Sequence, residues 1–248
     1  MGRTKRGSEG LTFVPADLSL TSAARKLAED LPVGSFDVLA FTTGIVPKAQ
    51  KVLTAEGVEE DMATSALSRH VFLAAAAPRL KAGARLLIWG FPGSGVFKDA
   101  DLANFNSEAR YGAGFAPPTH ANTVVLNEAL VAHYAAKGFA AAGFNPGLIR
   151  TAIRDNMHGG KGCLACFFES CIGCMNPTPE QYAAAVLPLL TAPELAARSG
   201  LLFGQKGTAI KGSPELTPEE VGKWIAAADA LAAKAAGAAG ADKLTIRE

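Results

Sequence analysis

Apolar residues along this chain come in short bursts separated by longer stretches of helical period. Leu11–Val14 reads as a short strand, and Asp17–Asp30 follows as a helix with Thr21 or Ser22 placed to cap it. Phe36–Phe41 is the next strand, stopped by Thr43-Gly44. A long helix is predicted from about Val58 to Leu80, then a strand at Ala84–Trp89 that ends on Gly90. The run from Asn122 to Lys137 has apolar residues at 125, 126, 129 and 130, with Gly138 as its stop. Phe139–Phe144 is a fourth strand, closed by Asn145-Pro146-Gly147. Thr178-Pro179-Glu180-Gln181 combines a Thr cap, Pro in the first turn and Gln three residues on, which marks a helix start. Gly200–Phe203 reads as a last short strand, and Thr217-Pro218 opens a helix that reaches about Ala235. Strands alternating with helices predict an α/β domain around a mostly parallel sheet of about five strands. The whole of 1–248 reads as one domain, with an irregular basic stretch at 1–10, a Cys-containing lobe at 152–178 and a frayed tail at 236–248.

Composition narrows the class without naming a function. Hydrophobic residues make up 49% and charged residues 19% of 248, with a formal net charge of +1. That balance suits a globular protein with a large core and gives no basic footprint for nucleic acid. The longest apolar run, Val71–Ala77, is followed by Pro78, Arg79 and Lys81, far short of the roughly 18 residues of a membrane span. Met1-Gly2-Arg3-Thr4-Lys5-Arg6 is basic with no apolar stretch behind it, so no secretory signal is expected. All four Cys fall between 163 and 174, which points to an intracellular, reducing compartment.

Those cysteines, Cys163, Cys166, Cys171 and Cys174, form two C-x-x-C pairs. Four thiolates supply a tetrahedral shell for zinc or an iron–sulfur cluster. The pairs stand closer together than in zinc ribbons, where roughly 15–20 residues intervene. On a helix they fall on one face, so the simpler reading is a buried helix face; a disulfide or redox role is the third.

Several short motifs recur in a recognisable order. They are Asp17-Leu18-Ser19; Phe36-Asp37-Val38-Leu39 with Gly44-Ile45; Thr119-His120-Ala121-Asn122; Pro146-Gly147-Leu148-Ile149-Arg150-Thr151; and Leu202-Phe203-Gly204. In order and spacing the chain resembles the short-chain dehydrogenase/reductase family, nearest its retinol-dehydrogenase-like branch. The resemblance implies a Rossmann-like three-layer sandwich in which the family's first βαβ unit is missing. Only sixteen residues precede Asp17, and Gly2, Gly7 and Gly10 stand there among polar residues with no strand before them. A dinucleotide would then be met by Asp17, Gly44, Pro146 and Thr151. The family's catalytic Tyr falls at Phe115, its Lys at Thr119, its Ser at Gly90 or Phe91 and its Asn at Ser65. Phe has no proton to exchange and Thr carries no charge. His120 is a possible acid/base group, although a helix-start His is the simpler reading.

The expectation is therefore a non-catalytic relative, a structural or interaction subunit with no cofactor. An open edge at Phe36–Phe41, unless Leu11–Val14 slides across to pair with it, invites a protein partner or a second copy. Two alternatives stand: an NAD(P)-dependent oxidoreductase acting on an alcohol or ketone, and a four-Cys metal-binding module.

Overall fold

The computed structural model describes residues 10–150 and 176–245. Val38–Phe41 (β1), Arg85–Trp89 (β2), Ala140–Phe144 (β3) and Leu201–Phe203 (β4) pair in parallel in that order. Ala209–Ile210 (β5) returns antiparallel on β4. Each parallel step is made through a helix, as a parallel connection requires. Side chains alternate across the sheet, so the two faces pack separately. On one face Leu86, Ile88 and Ala141 meet the apolar sides of four helical segments. These are α1 (Thr21–Asp30), α3 (Ser68–Ala76), α4 (Thr119–Ala136) and the long C-terminal α7 (Pro218–Thr245). A short α2 (Glu60–Met62) runs into α3 through a π-type turn at Ala63–Leu67. On the other face Leu87, Ala142 and Phe144 are covered by Tyr182 and Val186 of α5 (Pro179–Thr191) and by Leu195 of α6 (Pro193–Ala197). The result is the expected Rossmann-like three-layer sandwich with five strands.

One of the five is not the strand foreseen. Residues 11–14 form no strand, and Leu11 is 74% exposed. The chain turns away after them because Asp17 accepts hydrogen bonds from the Ser19 N–H and hydroxyl, at 3.0 and 2.7 Å. The fifth strand is β5 instead, and among the described residues nothing pairs with the outer edge of β1. The last helix also continues past Ala235 to Thr245, as its alanine-rich sequence favours. The capping box at Thr178 and Gln181 forms as read.

The cap of α1 is supplied from a distance. Neither Thr21 nor Ser22 caps it; Leu20 holds the cap position and has no side-chain oxygen to offer. The Glu56 carboxylate accepts from the Thr21 N–H and hydroxyl, both at 2.6 Å, and from the Ser22 N–H at 3.0 Å. Burial pushes the Glu56 carboxyl up, but the bonds from Ser22 and Thr21 outweigh it and hold the group below its ordinary value. Glu56→Ala is expected to lose about 2 kcal/mol, the scale of a lost cap with a charged acceptor. Because the folded carboxyl is the stronger acid, this stabilisation is full above the ordinary Glu range and fades as pH falls below it. Urea midpoints of the two proteins should therefore converge in acid; an equal gap at every pH would contradict the assignment.

Candidate functional site

A cavity of about 220 Å³ opens at the carboxyl ends of β1, β2 and β3. Ligands in open α/β sheets bind at this end, where loops leave the strands and helix starts converge. Thr42–Gly44 follow β1, Trp89 ends β2 and Gly90–Phe91 follow it, and Pro146–Ile149 follow β3; all of them line it. Ser65 and Arg69 reach it from the helix after β1, His120, Thr123 and Asn127 from α4, and Tyr182 from α5.

Two polar stripes, one on each of two helices, build the wall. Asp61, Ser65 and Arg69 are spaced by four along α2–α3, and His120, Thr123 and Asn127 by three and four along α4. That spacing brings each set to one helix face. The stripes interlock. Asp61 is fully buried and accepts from the Ser65 hydroxyl at 2.7 Å, with its other oxygen 2.9 Å from His120 Nδ1. Ser65 Oγ accepts in turn from the Ile45 N–H at 2.9 Å. Arg69 donates to the Trp89 carbonyl at 2.8 Å, to Asn127 Oδ1 at 2.7 Å and to the Thr43 carbonyl. Asn127 donates to the carbonyls of Ser65 and Thr123, both at 2.9 Å. The π-type turn at Ala63–Leu67 carries Ser65, and such turns often sit where a helix re-aims side chains at a site.

Burial and charge set the titration of this wall. Burial pushes the His120 imidazole down, but the Asp61 charge and hydrogen bond, with Glu59 behind them, outweigh it and leave the ring above its ordinary value. Burial and then repulsion from Asp61 push the Glu59 carboxyl up to about 7. The Tyr182 hydroxyl accepts from Trp89 Nε1 at 3.0 Å, and burial pushes its phenol up to about 12.

The residues singled out from sequence part company here. Gly44 and Pro146 line the cavity, whereas Asp17 folds back on Ser19. Thr151, Cys163, Cys166, Cys171 and Cys174 lie outside the described residues. Among those described, no group of three or more His, Cys, Asp or Glu is placed to hold a metal ion. Phe115 is half exposed at the rim, its ring edge-on to His120 with centroids 5.4 Å apart. Thr119 is buried away from the cavity, where its hydroxyl accepts from the Gly112 N–H at 2.9 Å and lies 2.9 Å from Ser107 Oγ. Gly90 could carry no side chain, because a Cβ there would overlap Asn127 Cβ and stand 2.7 Å from its Cγ. Phe91 has φ +56°, a left-handed conformation that a bulky residue adopts only where its surroundings impose it. Asp61, Arg69, Thr123 and Asn127 were missed, although their spacing by three and four, which sets each group on one helix face, is a signal that sequence offers.

A nicotinamide dinucleotide would find half of a site in these residues. The cavity between Gly44 and Pro146–Ile149 can take its nicotinamide end. A pyrophosphate asks for free N–H groups at a helix start, and α1 has given those of Thr21 and Ser22 to Glu56. Among the described residues no glycine-rich strand-to-helix turn offers others.

No family model matches the chain. Over 236 residues it is 37% identical to a Saccharomyces cerevisiae protein named an uncharacterized oxidoreductase, covering 91% of this chain and 75% of that protein. The chain belongs to the same family as this yeast oxidoreductase. A Francisella tularensis short-chain dehydrogenase superposes with a TM-score of 0.53 at 17% identity over 82% of both chains. A metagenomic blue fluorescent protein solved with NADPH gives 0.51 at 20% identity over 77% of this chain and 73% of that one. The expectation of a non-catalytic subunit is corrected by the oxidoreductase relative. That expectation rested on the missing first βαβ unit and on the residues standing at 65, 90, 115 and 119. It took His120 for a helix-start residue, whereas the fold sets His120 into the cavity wall beside a buried carboxylate. Among the described residues no helix is long and apolar enough to cross a membrane.

Proposed function

We propose that this chain is an NAD(P)-dependent oxidoreductase acting on an alcohol or its ketone. The observation that carries the reading is the cavity across the ends of β1–β3, bounded by Gly44 on one side and Pro146–Ile149 on the other. The oxidoreductase name of the yeast relative and the NADPH bound to the blue fluorescent protein agree with it. The dinucleotide supplies the hydride when bound. Gly44 and Pro146 would hold its nicotinamide end; of the other positions that the family resemblance implies, Asp17 does not line the cavity and Thr151 lies outside the described residues. Arg69 ties the strand ends under this pocket and so fixes its floor, while Trp89 and Tyr182 close it from behind.

Titration of the full chain with NADPH and NADH, followed by quenching of Trp89, tests the reading. Saturable quenching by one of the two is expected. Gly44→Leu should weaken it at least about tenfold, since the new side chain fills the cavity. A Cβ at residue 44 meets its nearest neighbours at ordinary van der Waals distances, Ser65 Oγ at 3.6 Å, Arg69 Nη2 at 3.8 Å and Ser65 Cβ at 3.9 Å, so stability should change by less than about 1 kcal/mol. A full chain that binds neither dinucleotide would end the proposal.

A further inference from the structure

The cavity wall holds two polar atoms that the protein leaves for something else. Thr123 Oγ1 is buried and makes no hydrogen bond, although Thr123 lines the cavity. An unpartnered hydroxyl out of water is destabilising, so one retained beside a cavity points to a ligand atom that satisfies it. His120 has Nδ1 engaged by Asp61, and Nε2 is the ring nitrogen left for the cavity. The two residues are three apart on α4, hence within one turn and on one face.

We propose that His120 Nε2 and Thr123 Oγ1 together hold the oxygen of the substrate's carbonyl or hydroxyl group, and that His120 exchanges the proton. His120 is then the catalytic acid/base and Asp61 a positioning residue that fixes the ring and its tautomer. The assignment rests on the oxidoreductase reading. In the reducing direction the carbonyl carbon gains a hydride, the C=O π bond breaks, and the oxygen takes the proton from Nε2. The product is an alcohol, the dihydronicotinamide is oxidised, and neutral His120 regains a proton from water.

The rest of the wall restricts the substrate. Ile45, Val46, Phe91, Val124 and Leu148 face the space, and its Arg69 is already donating to Thr43, Trp89 and Asn127. Among the described lining residues Arg69 is the sole Lys or Arg, which favours a substrate that is compact and apolar around its one oxygen. The charged and titratable groups around His120 are Asp61 and Glu59 at the start of α2, Arg69 behind Asp61, and Tyr182 across the cavity. The net effect keeps the imidazole protonated further toward neutral pH than a free His. Reduction should therefore weaken as pH rises through this raised midpoint, and Asp61→Asn should move that fall to lower pH.

Imidazole NMR of the full chain, with 1-phenylethanol and acetophenone as probes, tests the pair without relying on turnover. The chain has four His, and His120→Gln assigns the signal. Either probe should shift the His120 ring resonances, with the shift lost in Thr123→Val and kept in Thr123→Ser. With NADPH and acetophenone, His120→Gln should lower kcat about 100-fold, the scale of a lost general acid, and leave the NADPH Kd unchanged. A chain that binds NADPH but whose His120 signals ignore both probes, or a His120→Gln variant with full turnover, overturns the pair. Should the probes shift His120 in a chain that binds no dinucleotide, the oxygen-holding pair stands and the oxidoreductase reading falls.

Discussion

Replacing Arg69 with methionine is expected to lower the stability of the folded chain by about 3–5 kcal/mol, the range for removing one member of a buried charged network. Methionine keeps most of the volume and none of the donors. Arg69 is 2% exposed, and it joins three elements at the floor of the cavity through the carbonyls of Thr43 after β1 and Trp89 in β2 and through Asn127 on α4. Burial pulls the guanidinium down to about 9 while Asp61 pushes it up, so it remains charged at neutral pH. Without it, the Thr43 and Trp89 carbonyls and the Asn127 amide oxygen lose their donor, and Asp61 loses a neighbouring cation. Each unmet acceptor alone costs about 1–3 kcal/mol. Arg69→Lys should fall between wild type and Arg69→Met, because one compact ammonium cannot span acceptors that a planar fork reaches together. Urea unfolding of the three proteins at neutral pH decides the matter. A loss below about 1 kcal/mol for Arg69→Met would mean that the network is not what joins the strand ends.

How far sequence alone leads can be judged from such residues. The alternation of apolar runs and helical stretches located β1 to β4 and the large helices, since a strand buried on both faces must be continuously apolar. Thr178 and Gln181 were legible as a cap because both partners lie within four residues. Glu56 was not, because its donors are 34 and 35 residues away and only the folded chain brings them together. Leu11–Val14 has strand composition and no strand, since composition cannot tell whether an edge is within reach. The same limit governs the site. Family motifs led to Gly44, Pro146 and the rim at Phe115. The contact of His120 with Asp61 spans 59 positions, and no spacing rule reaches that far. Motif positions also mislead when read as roles: Thr119 stands where the family has its Lys, yet it braces the loop at Gly112 rather than facing the cavity.

Gly90 brings that distinction to a test. It stands where the family places a Ser, and Gly90→Ser would look like a repair of the family pattern. It is expected instead to destabilise the chain by about 3 kcal/mol or more, at the upper end of what overpacking costs. The new Cβ would fall on Asn127 Cβ and within 2.7 Å of Cγ, and neither neighbour can yield. Gly90 is held by its N–H to the Phe144 carbonyl at 3.2 Å. Asn127 is held on α4 by bonds from Arg69 and to the carbonyls of Ser65 and Thr123. A double-mutant cycle separates this clash from a general intolerance at residue 90. Asn127→Gly alone removes three hydrogen bonds and weakens the helix, so it is damaging by itself. Combined with Gly90→Ser it also removes the obstacle, and the double variant should be more stable than the sum of the two single losses by about 1–3 kcal/mol. Strict additivity would mean that Asn127 does not occupy the space a Ser would need. In that case the glycine at 90 is a replaceable remnant rather than the counterpart of the amide packed against it.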